Sequence, residues 1–374
     1  FEGVRVARQD VGGAIDGDTV EVEVWPGRRG RDEGRVVRIA QRGRVRVTGV
    51  LEGPPWRLEL DDARLHGPAE VADPGAARAG QVVLARIVRY PGRPASALGV
   101  AVTQVLGEPG NLLTEVAKVL AAQGVRETFP GAVEREVAAL PAEIRAADLI
   151  DRVDLRDRAF VTIDPLTARD FDDAVALEEM GDLTRVWIAV ADVSHYVAEG
   201  SAVDREACRR GCSLYLPDRA VPMLPEALSS GICSLGPERD RLAMVVRLDV
   251  TGGGEVQGSE CMAALVHSRG RLDYGGVAAA LDGDFRGRRA GYRDHVDQLS
   301  ALNRVAQALR RRRLERGSLD LDLAEARVLL DEDDPQRVRD VLATRGDAPV
   351  KRAYNLIEEL MIAANEAVAA IFEA

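Results

Sequence analysis

The chain has 374 residues, of which 46% are hydrophobic and 30% charged, and its formal net charge is −11. This length predicts two or three domains and a sizeable core that needs no disulfide support. The composition excludes disordered and fibrous proteins, and the absence of any run of 18 apolar residues excludes a membrane-spanning helix.

The chain begins at Phe1 instead of a methionine, and its first residues alternate valine with charged residues. They do not form the basic and then apolar leader of a secretory protein. We therefore expect no signal peptide and a native N-terminus that lies farther upstream.

Up to about residue 107 the sequence predicts short β-strands separated by turn signals such as Pro26-Gly27 and Pro91-Gly92. This spacing is typical of small antiparallel barrels. The predicted strands cover residues 19–25, 34–39, 44–51, 56–60, 82–88 and 99–105.

Residues 31–48 contain six arginines and two acidic residues, a local charge of +4 that opposes the sign of the whole chain. On the predicted strand, Arg44 and Arg46 project from one face and the adjacent valines from the other, which is packed. A cationic barrel face suits the phosphates of a single strand, and an ordinary solvated strand face explains the pattern equally well. The candidate phosphate contacts are Arg35, Arg38, Arg44 and Arg46.

Residues 111–147 show a helical pattern broken by Pro130 and Pro141, which predicts a helical linker. Beyond residue 151, strands predicted at 159–163, 185–191 and 243–250 mix with helices. The clearest helix is predicted over 296–316, where an apolar stripe ends at Gly317. We interpret its arginine run at 310–313 as a solvated face.

The four cysteines are too few for a disulfide scaffold in a chain of this length. Cys208 and Cys212 share a predicted helix face, but no second pair of thiols or imidazoles lies nearby in the sequence to complete a zinc site. We therefore expect free thiols and a reducing, cytoplasmic location.

The densest chemical signal is a group of four aspartates within ten residues, directly after a predicted strand. Two carboxylates about 4 Å apart repel by roughly 4 kcal/mol at an effective dielectric constant of 20, so their convergence requires a cation. Oxygen ligands without sulfur or imidazole favour Mg²⁺ or Mn²⁺, the ions that promote displacement at phosphorus. An acidic surface loop accounts for the composition equally well. The four residues are Asp164, Asp170, Asp172 and Asp173.

Several segments closely resemble, in the same order, the RNB domain of ribonuclease II and ribonuclease R enzymes. They are residues 164–173, 188–197, 215–219 and 233–235. The likeness extends through residues 357–365. At the front of the chain, residues 16–20 and 34–37 resemble the later part of a cold-shock barrel.

The resemblance implies a multidomain protein in which all-β cold-shock (OB) barrels precede an α+β RNB catalytic domain. The expected divisions are a partial first barrel at 1–47, a second barrel at 48–107, a helical linker at 108–150 and the RNB domain at 151–374. The sequence stops at Ala374, before the RNB segment that carries the family's catalytic arginine and before its C-terminal RNA-binding domain. A protein that naturally ended there would be expected to bind metal and RNA but to turn over poorly.

The implied activity is processive 3′-to-5′ hydrolysis of single-stranded RNA to nucleoside 5′-monophosphates, with Mg²⁺ or Mn²⁺ as the metal. No organic cofactor and no membrane are expected, and the protein is expected to be a cytoplasmic monomer. By the resemblance, the four aspartates are the catalytic and metal-binding residues. Tyr215 matches the tyrosine that packs against the terminal nucleotide, and Glu358 or Glu359 matches a glutamate that contacts RNA.

His195 follows one matched segment, and we expect a structural role for it because a metal-activated water needs no histidine base. The alternative function is a catalytically weak RNB homologue that acts as an RNA-binding or regulatory protein. A binding protein has little need of all four aspartates, so their presence favours the enzyme.

Overall fold

The computed structural model describes residues 3–27, 31–65, 67–92, 96–319, 326–331, 333–334, 336–343 and 348–373. The predicted outer domain bounds at Phe1 and Ala374 lie outside these residues. The chain divides into two compact units, of which the first comprises residues up to Glu127 together with 216–218 and 328–340. The second contains 128–215, 219–327 and the residues from 341 onward.

The first unit contains an open three-stranded sheet and a closed five-stranded barrel. The sheet consists of β1 (Arg5–Val6), β2 (Thr19–Pro26) and β3 (Asp32–Gln41), with β3 in the centre. The barrel has the strand order β4-β5-β6-β8-β7. Its strands are β4 (Arg46–Glu52), β5 (Arg57–Leu60), β6 (Ala69–Asp73), β7 (Val82–Arg89) and β8 (Gly99–Gly107).

Alternating apolar residues fill the barrel, where Leu51, Leu58 and Val100 are fully buried. Helix α1 (Leu112–Ala122) follows, and its first turn is capped by the Asn111 side chain, which accepts a 2.9 Å hydrogen bond from the amide of Leu113. Such a cap satisfies a backbone donor that the helix itself leaves unpaired.

Most of the remaining elements form an α+β arrangement around a mixed sheet, whereas residues 328–340 belong to the first unit. In chain order they are α2 (Gly131–Ala138), β9 (Val153–Asp154), β10 (Phe160–Asp164), β11 (Asp173–Met180), β12 (Leu183–Ala191), α3 (Val193–Tyr196), α4 (Ala202–Arg210), β13 (Leu214–Tyr215), β14 (Ala220–Val221), β15 (Asp240–Thr251), β16 (Val256–Asp273), α5 (Tyr274–Leu281), α6 (Val296–Glu315), β17 (Ala326–Leu330), β18 (Val338–Ala343) and α7 (Ala348–Glu373). The pairs β13-β14 and β17-β18 form two-stranded sheets.

The main sheet has the order β10-β11-β12-β15-β16-β9, and β10 also pairs in parallel with β16. Both faces of the sheet are covered, which explains the nearly continuous apolar run of β12. Val186 and Ile188 face one hydrophobic core, whereas Trp187 and Ala189 face the other. Successive side chains on a strand point to opposite faces, so a strand buried on both sides needs apolar residues throughout.

The predicted fold class, β-barrel structure followed by an α+β domain, is confirmed. The predicted strand at 44–51 is wrong at its start, because β4 begins at Arg46 and Val45 is 57% exposed rather than packed. The prediction also missed β6, β11, β16 and α7. In the part of the chain that the structure describes, no helix combines the length and the apolar character needed to cross a membrane.

Candidate active site

The four aspartates lie at the junction of two neighbouring strands of the main sheet. Residues 160–163 of β10 are buried, and the strand ends at Asp164. Pro165 follows, and it lacks the N–H that would extend the ladder. The chain then turns through a loop and enters β11 at Asp173. The aspartate loop, which we define as residues 165–172, therefore carries Asp170 and Asp172 between the two strand ends.

A buried aromatic residue sets the direction of the two loop aspartates. The Phe171 side chain points into the core, its amide donates a 3.1 Å hydrogen bond to Ser234 Oγ, and its carbonyl accepts one of 2.8 Å from Leu235 N. The next carbonyl, that of Asp172, accepts a 2.8 Å bond from Ala191 N. Phe171 is held inward, whereas Asp170 is half-buried and Asp172 is exposed, so the two flanking side chains lie outside the core.

The carboxylates influence one another electrostatically. Burial, and then the charges of Asp173 and Asp172, raise the pKa of Asp164 to about 7. Burial and the charge of Asp172 raise the pKa of Asp173 to about 6. Partial removal from water and the charge of Asp170 also raise the pKa of Asp172. The nearby charge of Arg271 acts in the opposite direction on Asp164 but does not outweigh these effects, so the fold brings together negative charges that the surrounding protein neutralises only in part.

One oxygen in this cluster is buried without compensation, since Asp164 Oδ2 has no hydrogen-bond partner among the described residues. A buried carboxylate oxygen without a donor is costly, and a divalent cation supplies the interaction that is missing. The donor set, composed of oxygen alone, fits Mg²⁺ or Mn²⁺. Within the described parts of the chain, however, no three acidic, histidine or cysteine side chains are close enough to hold a metal ion as they stand. Metal binding would therefore have to draw the aspartates closer together.

Tyr215 lies near the two loop aspartates, whose charges act together with burial to raise the pKa of its phenol. It ends the short strand β13, and its residue surface is 76% exposed. A flat ring in this position is open to a stacking partner. The sequence alone, without the family resemblance, would have placed this tyrosine in the core.

The two glutamates of α7 occupy different environments. Glu358 is exposed, whereas Glu359 is 2% exposed and its two oxygens accept hydrogen bonds of 2.6–3.0 Å from Arg310 and Arg313. The prediction of a solvated arginine face is therefore wrong for these two arginines, because their side chains close a buried ion pair between α6 and α7. Glu359 is committed to that ion pair, which leaves Glu358 as the candidate for RNA contact.

The four candidate arginines lie on β3 (Arg35 and Arg38), just before β4 (Arg44) and at the start of β4 in the barrel (Arg46), and three of them are paired with acidic residues. Arg35 bonds Glu23 at 2.8 Å, Arg38 bonds Glu21 at 2.9 Å, and Arg44 bonds both Asp16 and Asp62. Among the described residues the Arg46 side chain forms no ion pair or hydrogen bond, and it is exposed. Arg44 precedes β4 and so lies outside the observed strand, although both Arg44 and Arg46 line one cavity beside the barrel.

His195 contacts Asp148 at 3.2 Å and Arg152 at 3.3 Å. The sequence did not indicate that Ser234 and Arg271 contact the aspartate loop. Ser234 accepts a hydrogen bond from a loop amide, and Arg271 donates hydrogen bonds to two loop carbonyls. Ser234 lies within a segment that carries the family resemblance. A single arginine in a long strand such as β16 gives no comparable signal.

The RNB domain family matches residues 152–374, and the cold shock domain family matches residues 58–130. The chain is 38% identical over 383 residues to ribonuclease R of Thermotoga maritima, and the alignment covers 100% of this chain and 52% of that protein. It is 36% identical to ribonuclease R of Escherichia coli, with 96% of this chain and 44% of that protein covered. The chain thus spans about half the length of the curated relatives it matches.

The fold is similar to that of a solved structure described as Mycoplasma genitalium RNase R in complex with ribose methylated single-stranded RNA. The TM-score is 0.87 at 26% sequence identity. The match covers 98% of this chain and 58% of that one.

Proposed function

The chain belongs to the RNB family, and on that premise we propose that it is a 3′-to-5′ exoribonuclease that hydrolyses single-stranded RNA processively to nucleoside 5′-monophosphates. The ribonuclease R relatives and the related structure with bound single-stranded RNA support this assignment. We place the enzyme in the cytoplasm as a monomer. The free cysteines Cys208, Cys212, Cys233 and Cys261 suit a reducing compartment.

The observation that carries the proposal is the unpartnered buried oxygen of Asp164, set among carboxylates that raise one another's pKa. A structural role does not explain this arrangement, because each uncompensated charge near another destabilises the folded chain. Sites that accept such a cost are typical of catalysis, where a cation joins the carboxylates.

Nucleases of this family depend on divalent metal. Asp164, Asp170, Asp172 and Asp173 would hold Mg²⁺ or Mn²⁺. A metal ion bound there supplies a water of lowered pKa and stabilises the charge that develops on the scissile phosphate.

The chain's own residues position the substrate around that centre. Tyr215 stacks on the last base and fixes the distance between the 3′ end and the aspartates, and stacking accepts any base because every base has a π face. Glu358 contacts the RNA from α7. Arg46 holds a phosphate on the barrel. For Arg35, Arg38 and Arg44 to bind phosphate as well, their present ion pairs with acidic residues would have to break.

The test is Asp172→Asn in a protein that includes the family's C-terminal RNB segment. The change keeps the size of the side chain and removes one negative charge. We expect turnover with Mg²⁺ to fall by roughly a hundredfold or more, since each 1.4 kcal/mol of lost transition-state stabilisation costs about tenfold in rate. RNA affinity in EDTA should remain, because the barrel is unchanged. Asp182→Asn, in the exposed turn between β11 and β12, is the matched control and should leave turnover unchanged.

Near-normal turnover of Asp172→Asn would contradict the role of this carboxylate. If the unaltered protein binds RNA tightly but hydrolyses none with Mg²⁺ or Mn²⁺, the alternative of an RNA-binding or regulatory homologue replaces the enzyme. Matching thermal unfolding curves for the two variants establish that both are folded.

A further inference from the structure

The aspartate loop is attached to the sheet by an arginine that lies outside the four-aspartate motif. Arg271 belongs to β16, where it lies directly beside Thr162 of the parallel strand β10. One terminal guanidinium nitrogen donates two hydrogen bonds to the loop, to the carbonyl of Leu166 at 2.8 Å and to that of Ala168 at 3.1 Å.

The same guanidinium group lies over the aromatic ring that separates the two loop aspartates. Its central carbon is 5.1 Å from the ring centre of Phe171. Phe171 is in turn held on its backbone by Ser234 and Leu235. Arg271 therefore joins the first half of the loop, through two carbonyls, to the buried residue that orients the second half.

From these contacts we infer that Arg271 is the positioning residue of the aspartate loop: it fixes the path between Asp164 and Asp173 and thereby aims Asp170 and Asp172 at the shared centre. It does so through the planar shape of the guanidinium group, which bonds two carbonyls while stacking on a ring. A lysine ammonium has the same charge but neither the planarity nor the stacking. The consequence for catalysis rests on the proposed function, whereas the consequence for the loop does not.

Phe171 and Asp172 hold the second half of the loop through their backbone bonds, but the first half, residues 165–169, has few restraints besides Arg271. Within it, the amide of Ala168 donates to the carbonyl of Pro165 at 2.9 Å, a single local turn. Ordering each backbone residue costs roughly 1–2 kcal/mol of conformational entropy, so a loop without its tether should sample other paths. Carboxylates on a loop that samples several conformations would bind a divalent ion more weakly, because the ion would have to order them as it binds.

The experiment compares Arg271→Lys and Arg271→Gln with Arg269→Lys as the matched control. Arg269 is two residues earlier on β16, is also exposed, and donates to a backbone carbonyl as well, that of Arg156 at 3.0 Å. Amide hydrogen exchange is followed across residues 166–172, without RNA and without metal. We expect both Arg271 variants to exchange about tenfold faster there, and the Arg269 variant to match the unaltered protein.

The second measurement is the Mg²⁺ concentration that gives half of the maximal thermal stabilisation. It should rise severalfold in both Arg271 variants and remain unchanged in Arg269→Lys. If Arg271→Lys exchanges and binds Mg²⁺ like the unaltered protein, the inference is overturned. If only Arg271→Gln differs, Arg271 acts through its charge, which also overturns the inference. The two claims fail separately. If the unaltered protein shows no nuclease activity, the proposed function is rejected; if the Arg271 variants still exchange faster, the inference about the loop remains.

Discussion

Replacing Asp164 by asparagine should stabilise the metal-free protein at neutral pH. The pKa of this carboxyl is about 7 in the folded chain, against 3.8 for an unperturbed aspartate. Between these two values the folded state binds more protons than the unfolded state, so the free energy of unfolding falls as the pH rises. Well above pH 7 this decrease in the free energy of unfolding is complete. An uncharged asparagine does not ionise, so the variant avoids the decrease.

The shift of about three pKa units corresponds to at most about 4 kcal/mol. Asp164 is only partly buried, so solvent screening reduces this to roughly 1–2 kcal/mol. For a chain of 374 residues such a difference moves the melting temperature by roughly 1–3 °C.

The assay is thermal unfolding in EDTA at pH 5 and pH 8, with Asp182→Asn as the control for an exposed aspartate. Asp164→Asn should gain stability over the unaltered protein from pH 5 to pH 8, whereas the control should follow the unaltered protein. Excess Mg²⁺ at pH 8 should reverse the order, because only the native carboxylate gains from the ion. A variant that is no more stable than the unaltered protein at pH 8 in EDTA would refute the reasoning.

Three further predictions concern the substrate path and the core. Tyr215→Ala should leave RNA degradation running but change the length of the final oligomer on a labelled homopolymer, since stacking worth about 1–3 kcal/mol is lost; an unchanged product ladder would remove Tyr215 from the 3′ end. Arg46→Gln should lower the slope of log affinity against log salt by about 0.7 in filter binding, with a smaller change for the paired Arg35→Gln; equal slopes in all three proteins would place these residues outside the RNA path. Glu359→Gln should lower the free energy of unfolding by about 3 kcal/mol in urea titrations, and Glu358→Gln by less than about 0.5; equal losses would contradict the buried ion pair.

Much of the fold followed from local pattern. Strands β2, β3, β7 and β8 are rich in valine and lie between turn signals, and their predicted centres agree with the structure. The short β6 lies between Pro68 and Pro74, where local signals predict only turns, and it forms because the barrel supplies partners on both sides.

The candidate site was predictable only in part, because its arrangement depends on contacts distant in sequence. The aspartate motif identified the residues, but their mutual effect on pKa needs the pairing of β10 with β11 and β16. In the sequence, Glu358 and Glu359 differ only in the helix face they occupy, so either could contact RNA. In the structure, two arginines of α6 pair with Glu359, which leaves Glu358 as the candidate. Nothing near Arg271 in the sequence shows that it reaches a loop about a hundred residues earlier.

The most direct measurement follows single-stranded RNA labelled at its 5′ end or its 3′ end during incubation with the protein, with Mg²⁺ or with EDTA. We predict that with Mg²⁺ the 3′ label is released at once as a nucleoside 5′-monophosphate, while the 5′ label remains on a strand that ends as a short oligomer. Neither label should be released in EDTA. Release of the 5′ label first, cleavage within the strand, or equal activity in EDTA would contradict a metal-dependent exoribonuclease that works from the 3′ end.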